Sequence, residues 1–159
     1  MTRSITVERT YKADIAEIWA LWTTKDGFES WWGPEGFRVE VHTLDARVGG
    51  ALRYDIIPDA PEQIAAIKRM GQPISHNTHG TFTELIPHRR LVLTHVIDFL
   101  PGVTPYDSVI VAEFFPSGSN VRMVVTVHPM HNEEFTRMSV QGFTSQLTKL
   151  DRRFGSGGQ

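Results

Sequence analysis

His95 sits where a strand would bury it. In Leu91, Leu93, His95, Ile97 and Phe99 every second residue is apolar except this one, so extended chain turns the imidazole inward. An inward imidazole can donate to a ligand carbonyl or act as acid or base near neutral pH; the structural alternative is a core histidine bonded to backbone or a buried hydroxyl. Charged partners follow similar alternations: Glu113 shares parity with Val109, Val111 and Phe115, Glu84 with Phe82 and Ile86, and Arg9 with Ile5, Val7 and Tyr11. An interior Arg–Glu–His network would orient a polar ligand head or stand as a self-satisfying ion pair, and one bulge would invert the register. His76 with His79 and His128 with His131 offer imidazoles three residues apart. Extended chain splits that spacing between faces, and two ligands are too few for a closed site, so no metal is expected. The sequence has no phosphate-binding loop, dinucleotide glycine fingerprint, zinc-protease motif or nucleophile elbow. No catalytic residue and no cofactor is assigned.

A second constellation is apolar and aromatic. Trp32, Phe37, Val41, Tyr54, Phe82, Met138, Phe143 and Leu147 can line a concave small-molecule site to which His95 and Glu113 add polar groups, or they can simply fill the core. Trp31 and Trp32, adjacent before Gly33-Pro34, are not expected to enter one core together. One of them should sit at an opening, with Trp32 favoured as the ligand contact and the inward-facing member left open.

The elements that would position these residues follow from periodicity. Residues 4–11 alternate as a half-buried strand. Asp14 and Glu17 make a capping-box-like start to a helix bearing Ile15, Ile18, Trp19 and Trp22, and Phe28, Trp31 and Trp32 give a second, shorter helix that ends at Gly33-Pro34. Short extended runs follow at about 37–47, 50–57, 78–86, 90–99, 107–116 and 120–128, the last pair joined by a hairpin loop at 116–120. A small inserted helix is expected near 61–70, either a lid over a cavity mouth or a surface-packed insertion. Phe135, Met138, Phe143, Leu147, Leu150 and Phe154 form a helical stripe, with Asn132 as cap and Gly155 as stop. Strands bracketed by helices argue for an antiparallel sheet with helices on one face.

Composition bounds the rest. The 159 residues suit one domain over 1–154, with 155–159 expected to be a disordered tail. Sixteen basic against 18 acidic side chains provide no cationic surface for nucleic acid, and the absence of cysteine removes disulfides and thiol chemistry. No apolar run reaches membrane-spanning length and the N-terminus lacks a secretory pattern, so a soluble, cytoplasmic protein without membrane insertion is expected. Open sheet edges make a homodimer an expectation as well.

The segments Trp19-Ala20-Leu21-Trp22-Thr23, Trp31-Trp32-Gly33-Pro34-Glu35-Gly36-Phe37, Val48-Gly49-Gly50, Gly80-Thr81-Phe82-Thr83-Glu84-Leu85 with Arg90-Leu91-Val92, and Gly142-Phe143 with Leu147 and Leu150 together resemble the SRPBCC or START-like helix-grip superfamily. The branch they are most similar to is that of the heat-shock protein 90 ATPase activator. The likeness runs from about residue 5 to 154. It implies an α+β fold in which a curved antiparallel sheet of six to seven strands wraps a long C-terminal helix, with two short helices after the first strand. It also implies a cavity between sheet and helix that relatives use for apolar molecules. The 59–76 insertion, and Phe143 where many relatives carry tryptophan, depart from the family pattern and bear on a cavity's mouth or lining. Three functions follow as expectations. The first is noncatalytic binding of a small apolar or amphipathic ligand. The others are a co-chaperone-like, stress-response module that activates a chaperone ATPase, and a cyclase- or hydrolase-like enzyme using His95 with a buried carboxylate.

Overall fold

The computed structural model describes residues 4–33, 35–69, 71, 76–98 and 102–154. The expected tail at 155–159 lies outside them, as do Phe99 and Met70. Seven strands form one antiparallel sheet: β1 (Ile5–Lys12), β2 (Phe37–Leu44), β3 (Ala51–Pro58), β4 (His76–Ile86), β5 (Arg90–Ile97), β6 (Tyr106–Ser117) and β7 (Asn120–Val127), in the spatial order β1-β7-β6-β5-β4-β3-β2. Apart from the link between the two edge strands, sequence neighbours are spatial neighbours, as short hairpin connections favour. The tightest, between β6 and β7, has Ser117 paired with Asn120 and Gly118 at φ +59°, a left-handed conformation that suits glycine.

The sheet curves around α4 (Glu133–Phe154), the helix-grip arrangement. Asn132 caps α4 as expected, its Oδ1 accepting from Phe135 N–H at 2.8 Å. Alternation assigns the faces. On β5, Leu91, Leu93, His95 and Ile97 are buried, and their partners on β6 are Ala112, Ile110, Ser108 and Tyr106. On β7, Val121, Met123, Val125 and Val127 complete the concave surface.

Two short helices, α1 (Ile15–Thr23) and α2 (Lys25–Glu29), bridge the sheet's flanks, α1 against β7 and α2 against β2. The Asp14–Glu17 pair forms no capping box. Asp14 takes the N-cap position with its carbonyl accepting from Glu17 and Ile18, while its side chain makes no cap bond. Regular α2 ends at Glu29, and Trp31 and Trp32 follow in a turn that bonds back to Phe28 O. The insertion is a helix, α3 (Pro61–Arg69), none of whose residues is buried. Its start is held by Asp59 and Ala60 donating to Gly36 O. Among the described residues no helix is long and apolar enough to cross a membrane.

Candidate functional site

A hollow of about 240 Å³ lies between α4 and the concave face. Its apolar wall is Ile56, Ile97, Ile110 and Val127 from four strands, to which Trp32, Phe143, Met130 and Met138 add. Its polar groups are Tyr54, His95, Thr78, Ser108, Ser139 and Gln146. Gly142 completes the helix side. No Lys, Arg, Asp or Glu lines it among the described residues. At ~30 Å³ per water the volume corresponds to about eight water molecules, a site for a fragment-sized guest.

The polar centre is a chain of three side chains. Trp32 Nε1 donates to the Tyr54 hydroxyl at 3.0 Å, and that hydroxyl lies 2.9 Å from His95 Nε2. Strand register brings them together: Tyr54 pairs with Thr78 on β4, and the next inner residue of β4, Gly80, pairs with His95. A Cβ on Gly80 would stand 2.6 Å from Thr94 O and 3.2 Å from His95 Cα, so the close approach of backbones beside His95 requires glycine. The Trp32 ring stacks on Phe28 at 4.5 Å and lies nearly parallel to the His95 ring at 6.3 Å. Burial pushes the His95 imidazole down to about 4, with a smaller contribution from His79, so it is neutral at pH 7. Burial likewise pushes the Tyr54 hydroxyl above its ordinary range, although the bond from Trp32 opposes this. The trio can therefore exchange hydrogen bonds at neutral pH without carrying charge. With the indole fixed as donor, either the hydroxyl donates to bare Nε2, or Nε2–H donates to the hydroxyl oxygen and leaves the hydroxyl proton for a guest.

The segment containing Trp32 is fastened to α4. Gly33 N–H donates to Gln146 Oε1 at 3.0 Å, Glu35 N–H to Ser145 Oγ at 2.9 Å, and Lys149 Nζ to Phe37 O at 2.8 Å. Thr148 and Arg152 both reach the Glu35 carboxylate, which they hold below the usual carboxylate range, the Thr148 hydrogen bond most of all. Gly33 and Gly36 have φ of +95° and +88°, which lets the chain turn sharply between these contacts.

Of the ten residues singled out from sequence, Trp32, Tyr54, His95, Met138 and Phe143 meet at this hollow. Val41, Phe82 and Leu147 are buried in the core and do not line it, nor does half-buried Phe37 at the start of β2. Met138 is 53% exposed, at the margin of the helical stripe. Glu113 is on the opposite, convex face beside a separate surface hollow.

The expected interior Arg–Glu–His network does not form. Phe82 pairs with Leu93 but Glu84 with Val92, so a bulge at Thr83 throws Glu84 to the convex face. There Arg90 bridges Glu84 and Glu113, each at 3.1 Å. Arg9 keeps its inward parity but lies under the end of α4, 3.5 Å from Asp151. His95 thus has a phenol and not a carboxylate as partner, which removes the acid–base pair on which the cyclase or hydrolase reading rested. The expectation that two adjacent tryptophans cannot share a core is also corrected. Trp31 is fully buried and Trp32 6% exposed, with rings 5.1 Å apart edge to face; Trp31 Nε1 turns back to Leu21 O while Trp32 turns to Tyr54.

Helix α3 contributes no described residue to the hollow's lining, and packs on β3 and the Gly36 turn. The histidine pairs part company: His79 lies 3.5 Å from Asp98, and His131 Nδ1 is 2.9 Å from the Tyr106 hydroxyl. The side chain of His76 is outside the described set.

Gln146, Gly142, Ser139, Ser108 and Thr78 were missed by sequence reasoning. A signal existed for Gln146, which falls three residues after Phe143 and next to Leu147 on the buried stripe of α4. Its Oε1 serves Gly33, but its Nε2 is buried without a hydrogen-bond partner among the described residues.

The sequence model of the family described as activator of Hsp90 ATPase homolog 1-like protein matches residues 12–155. No curated protein matches in sequence. Among solved structures, protein CV1439 from Chromobacterium violaceum is 19% identical, with 96% of this chain and 98% of that chain covered and a TM-score of 0.73. The AHSA1 protein SPO3351 from Silicibacter pomeroyi is also 19% identical, at 94% and 96% coverage and a TM-score of 0.73. CalU16 from Micromonospora echinospora is 19% identical, at 94% and 74% coverage and a TM-score of 0.65. At these identities the likeness to the three structures is one of fold.

Proposed function

Since the chain belongs to the activator of Hsp90 ATPase homolog 1-like family, whose fold commonly encloses a ligand cavity, we propose that it binds a small apolar or amphipathic molecule between its sheet and α4. The observation that carries this reading is the hollow of about 240 Å³, walled by aliphatic and aromatic side chains around a few convergent polar groups. Aliphatic walls supply affinity, and the Trp32–Tyr54–His95 chain orients a polar end. The test is native mass spectrometry of the protein with a panel of fragment-sized aromatic and alicyclic compounds. Wild type should form one-to-one adducts that Gly142→Leu loses, because the new side chain occupies the helix wall of the hollow while replacing a poor helix former. Adducts equal in both proteins, or in neither, defeat the reading.

A second reading, activation of a chaperone ATPase through an exterior surface, is supported by family membership and by Ile86 and Phe115, which are 44% and 46% exposed beside a shared surface hollow. Stimulation of the chaperone's ATP hydrolysis that Phe115→Ser abolishes would support it; no stimulation would dispose of it.

A further inference from the structure

The chain has five methionines and no cysteine, so its sulfur chemistry is that of thioethers alone. Two of those thioethers line the hollow, and their surroundings differ. Met130, on the link between β7 and α4, is half-buried. Its Sδ accepts from the Ser108 hydroxyl at 3.3 Å and its N–H donates to Thr136 Oγ1 at 2.8 Å, so side chain and backbone are both tied. Met138, on α4, lines the same hollow while 53% exposed, and no hydrogen bond engages its sulfur among the described residues. Phe143, the next stripe residue at the hollow, is only 5% exposed. Met138 therefore stands at the rim, with part of its side chain against the guest space and part in water. Met123, on the inner face of β7, is 1% exposed and does not line the hollow.

Resting on the reading that the hollow is a ligand site, we propose that Met138 is an oxidation site through which hydrogen peroxide lowers the hollow's affinity for an apolar guest. The step is an oxygen transfer. A sulfur lone pair attacks one peroxide oxygen and the O–O bond breaks; that oxygen stays on sulfur as the sulfoxide, and the other leaves as water with both peroxide hydrogens. Sulfur is oxidised by two electrons and the peroxide is reduced by the same two. Access to sulfur selects the residue: Met138 meets solvent, Met130 has its sulfur engaged by Ser108, and Met123 is sealed in the core. The product is polar where the thioether was not. If the sulfoxide turns to water it withdraws its apolar contact from the guest, and if it stays in the lining it sets a strong dipole against hydrocarbon. Either way affinity falls. Methionine sulfoxide reductases return the thioether, which makes the change reversible, and the lack of cysteine means that the same peroxide forms no disulfide or sulfenic acid in this chain.

The experiment treats the full-length protein and Met138→Leu with graded hydrogen peroxide, stops the reaction with catalase, maps the oxidised methionines by peptide mass spectrometry and titrates each sample with 2-acetylnaphthalene by calorimetry. Each protein is compared with its own untreated sample, so whatever the substitution does to basal affinity cancels. In wild type, Met138 should gain an oxygen before Met130 and Met123, and affinity should fall roughly three- to tenfold, the worth of one side chain's apolar contact. Methionine sulfoxide reductases of both stereospecificities should restore it. In Met138→Leu the same treatment should leave affinity where it was. Met1 and Met70 lie outside the described residues, and their oxidation is common to the two proteins, so the difference between them reports Met138. Oxidation of Met130 or Met123 as early as Met138, an equal fall in both proteins, or undiminished affinity in oxidised wild type overturns this inference and leaves the ligand site intact. Failure of the untreated protein to bind the probe overturns both.

Discussion

Lowering the pH from 7 to 4 should weaken the fold through His95 in a way that one substitution isolates. The imidazole is 7% exposed, and the groups that act on it are the Tyr54 hydroxyl, Trp32, the cross-strand residues Gly80 and Ser108 and, as a smaller influence, His79, none of them anionic. Burial lowers its pKa from 6.5 to about 4. In the unfolded chain the same group titrates near 6.5, so between these values the unfolded state binds a proton that the native state refuses. The stabilising contribution is therefore fully present above about pH 7, is lost as the pH falls through 6.5 toward 4, and changes little below that. At about 1.4 kcal/mol per pKa unit, the loss is about 3 kcal/mol. Glu8 and Glu35, whose carboxyls are held below their usual range, titrate at the acid end of the same scan and blur the wild-type curve taken alone. The comparison is urea unfolding of wild type and His95→Gln at pH 7, 6, 5 and 4 and constant ionic strength, followed by tryptophan fluorescence. Stability differences between the two proteins should shrink by about 3 kcal/mol from pH 7 to 4. Parallel curves would refute the assignment of His95 as a buried neutral base.

Other perturbations test neighbouring parts of the same design. Tyr54→Phe deletes one oxygen and deprives both Trp32 Nε1–H and His95 Nε2 of their partner; unfolding free energy should fall by about 2–4 kcal/mol, and a loss under about 1 kcal/mol would mean that water replaces the hydroxyl. Gly80→Ala forces a methyl to 2.6 Å from a backbone oxygen that cannot swing away, so a lower melting temperature, by the equivalent of about 2–3 kcal/mol, or failure to fold is expected. Arg90→Ala breaks two ion pairs, yet all three side chains are more than a third exposed and screened; chemical denaturation should show a change below about 1 kcal/mol, and a much larger one would contradict the placement of Glu84 and Glu113 on the solvated face.

How legible the molecule was depended on which physical rule governed each part. Alternation placed His95 on the inner face because β5 has no bulge and its odd residues are otherwise aliphatic. The same rule misplaced Glu84 because one extra residue at Thr83 shifts the register, and nothing in the local composition of Thr81-Phe82-Thr83 marks it. For Glu113 parity was right and the face was wrong: β6 carries valines on one side and Ile110, Ala112 and Phe114 on the other, so hydrophobicity alone does not say which side meets α4. The helical stripe located α4 from end to end, but a stripe counted from apolar residues passes over Gln146, Gly142 and Ser139. Those are the positions where the helix withholds bulk or offers a hydrogen bond, so the site is written in the interruptions of the pattern that specifies the fold. The tryptophan pair misled because adjacent residues in extended chain point apart, whereas Trp31 and Trp32 follow α2 in a helical turn and enter the core as neighbours.

Those interruptions carry a thermodynamic consequence. At ~24 cal/mol per Å³, a dry and closed void of 240 Å³ would cost about 6 kcal/mol, comparable with the whole stability of many domains. Leucine at Ser139 or Gly142 would remove much of that volume and, at Gly142, improve the helix as well. Small residues there leave stability unrealised, and the polar groups at Thr78, Ser108, Gln146 and the Tyr54–His95 pair limit the penalty by letting water enter the hollow. A guest that returns apolar contact along Ile56, Ile97, Ile110 and Val127 recovers part of what packing forgoes. Because it binds the folded state, it then raises stability by mass action, about 2.7 kcal/mol at one hundred times its dissociation constant. Occupancy and folding are thus coupled through one set of side chains, and the binding measurements on Gly142→Leu and the unfolding measurements on Tyr54→Phe interrogate the same equilibrium from its two ends.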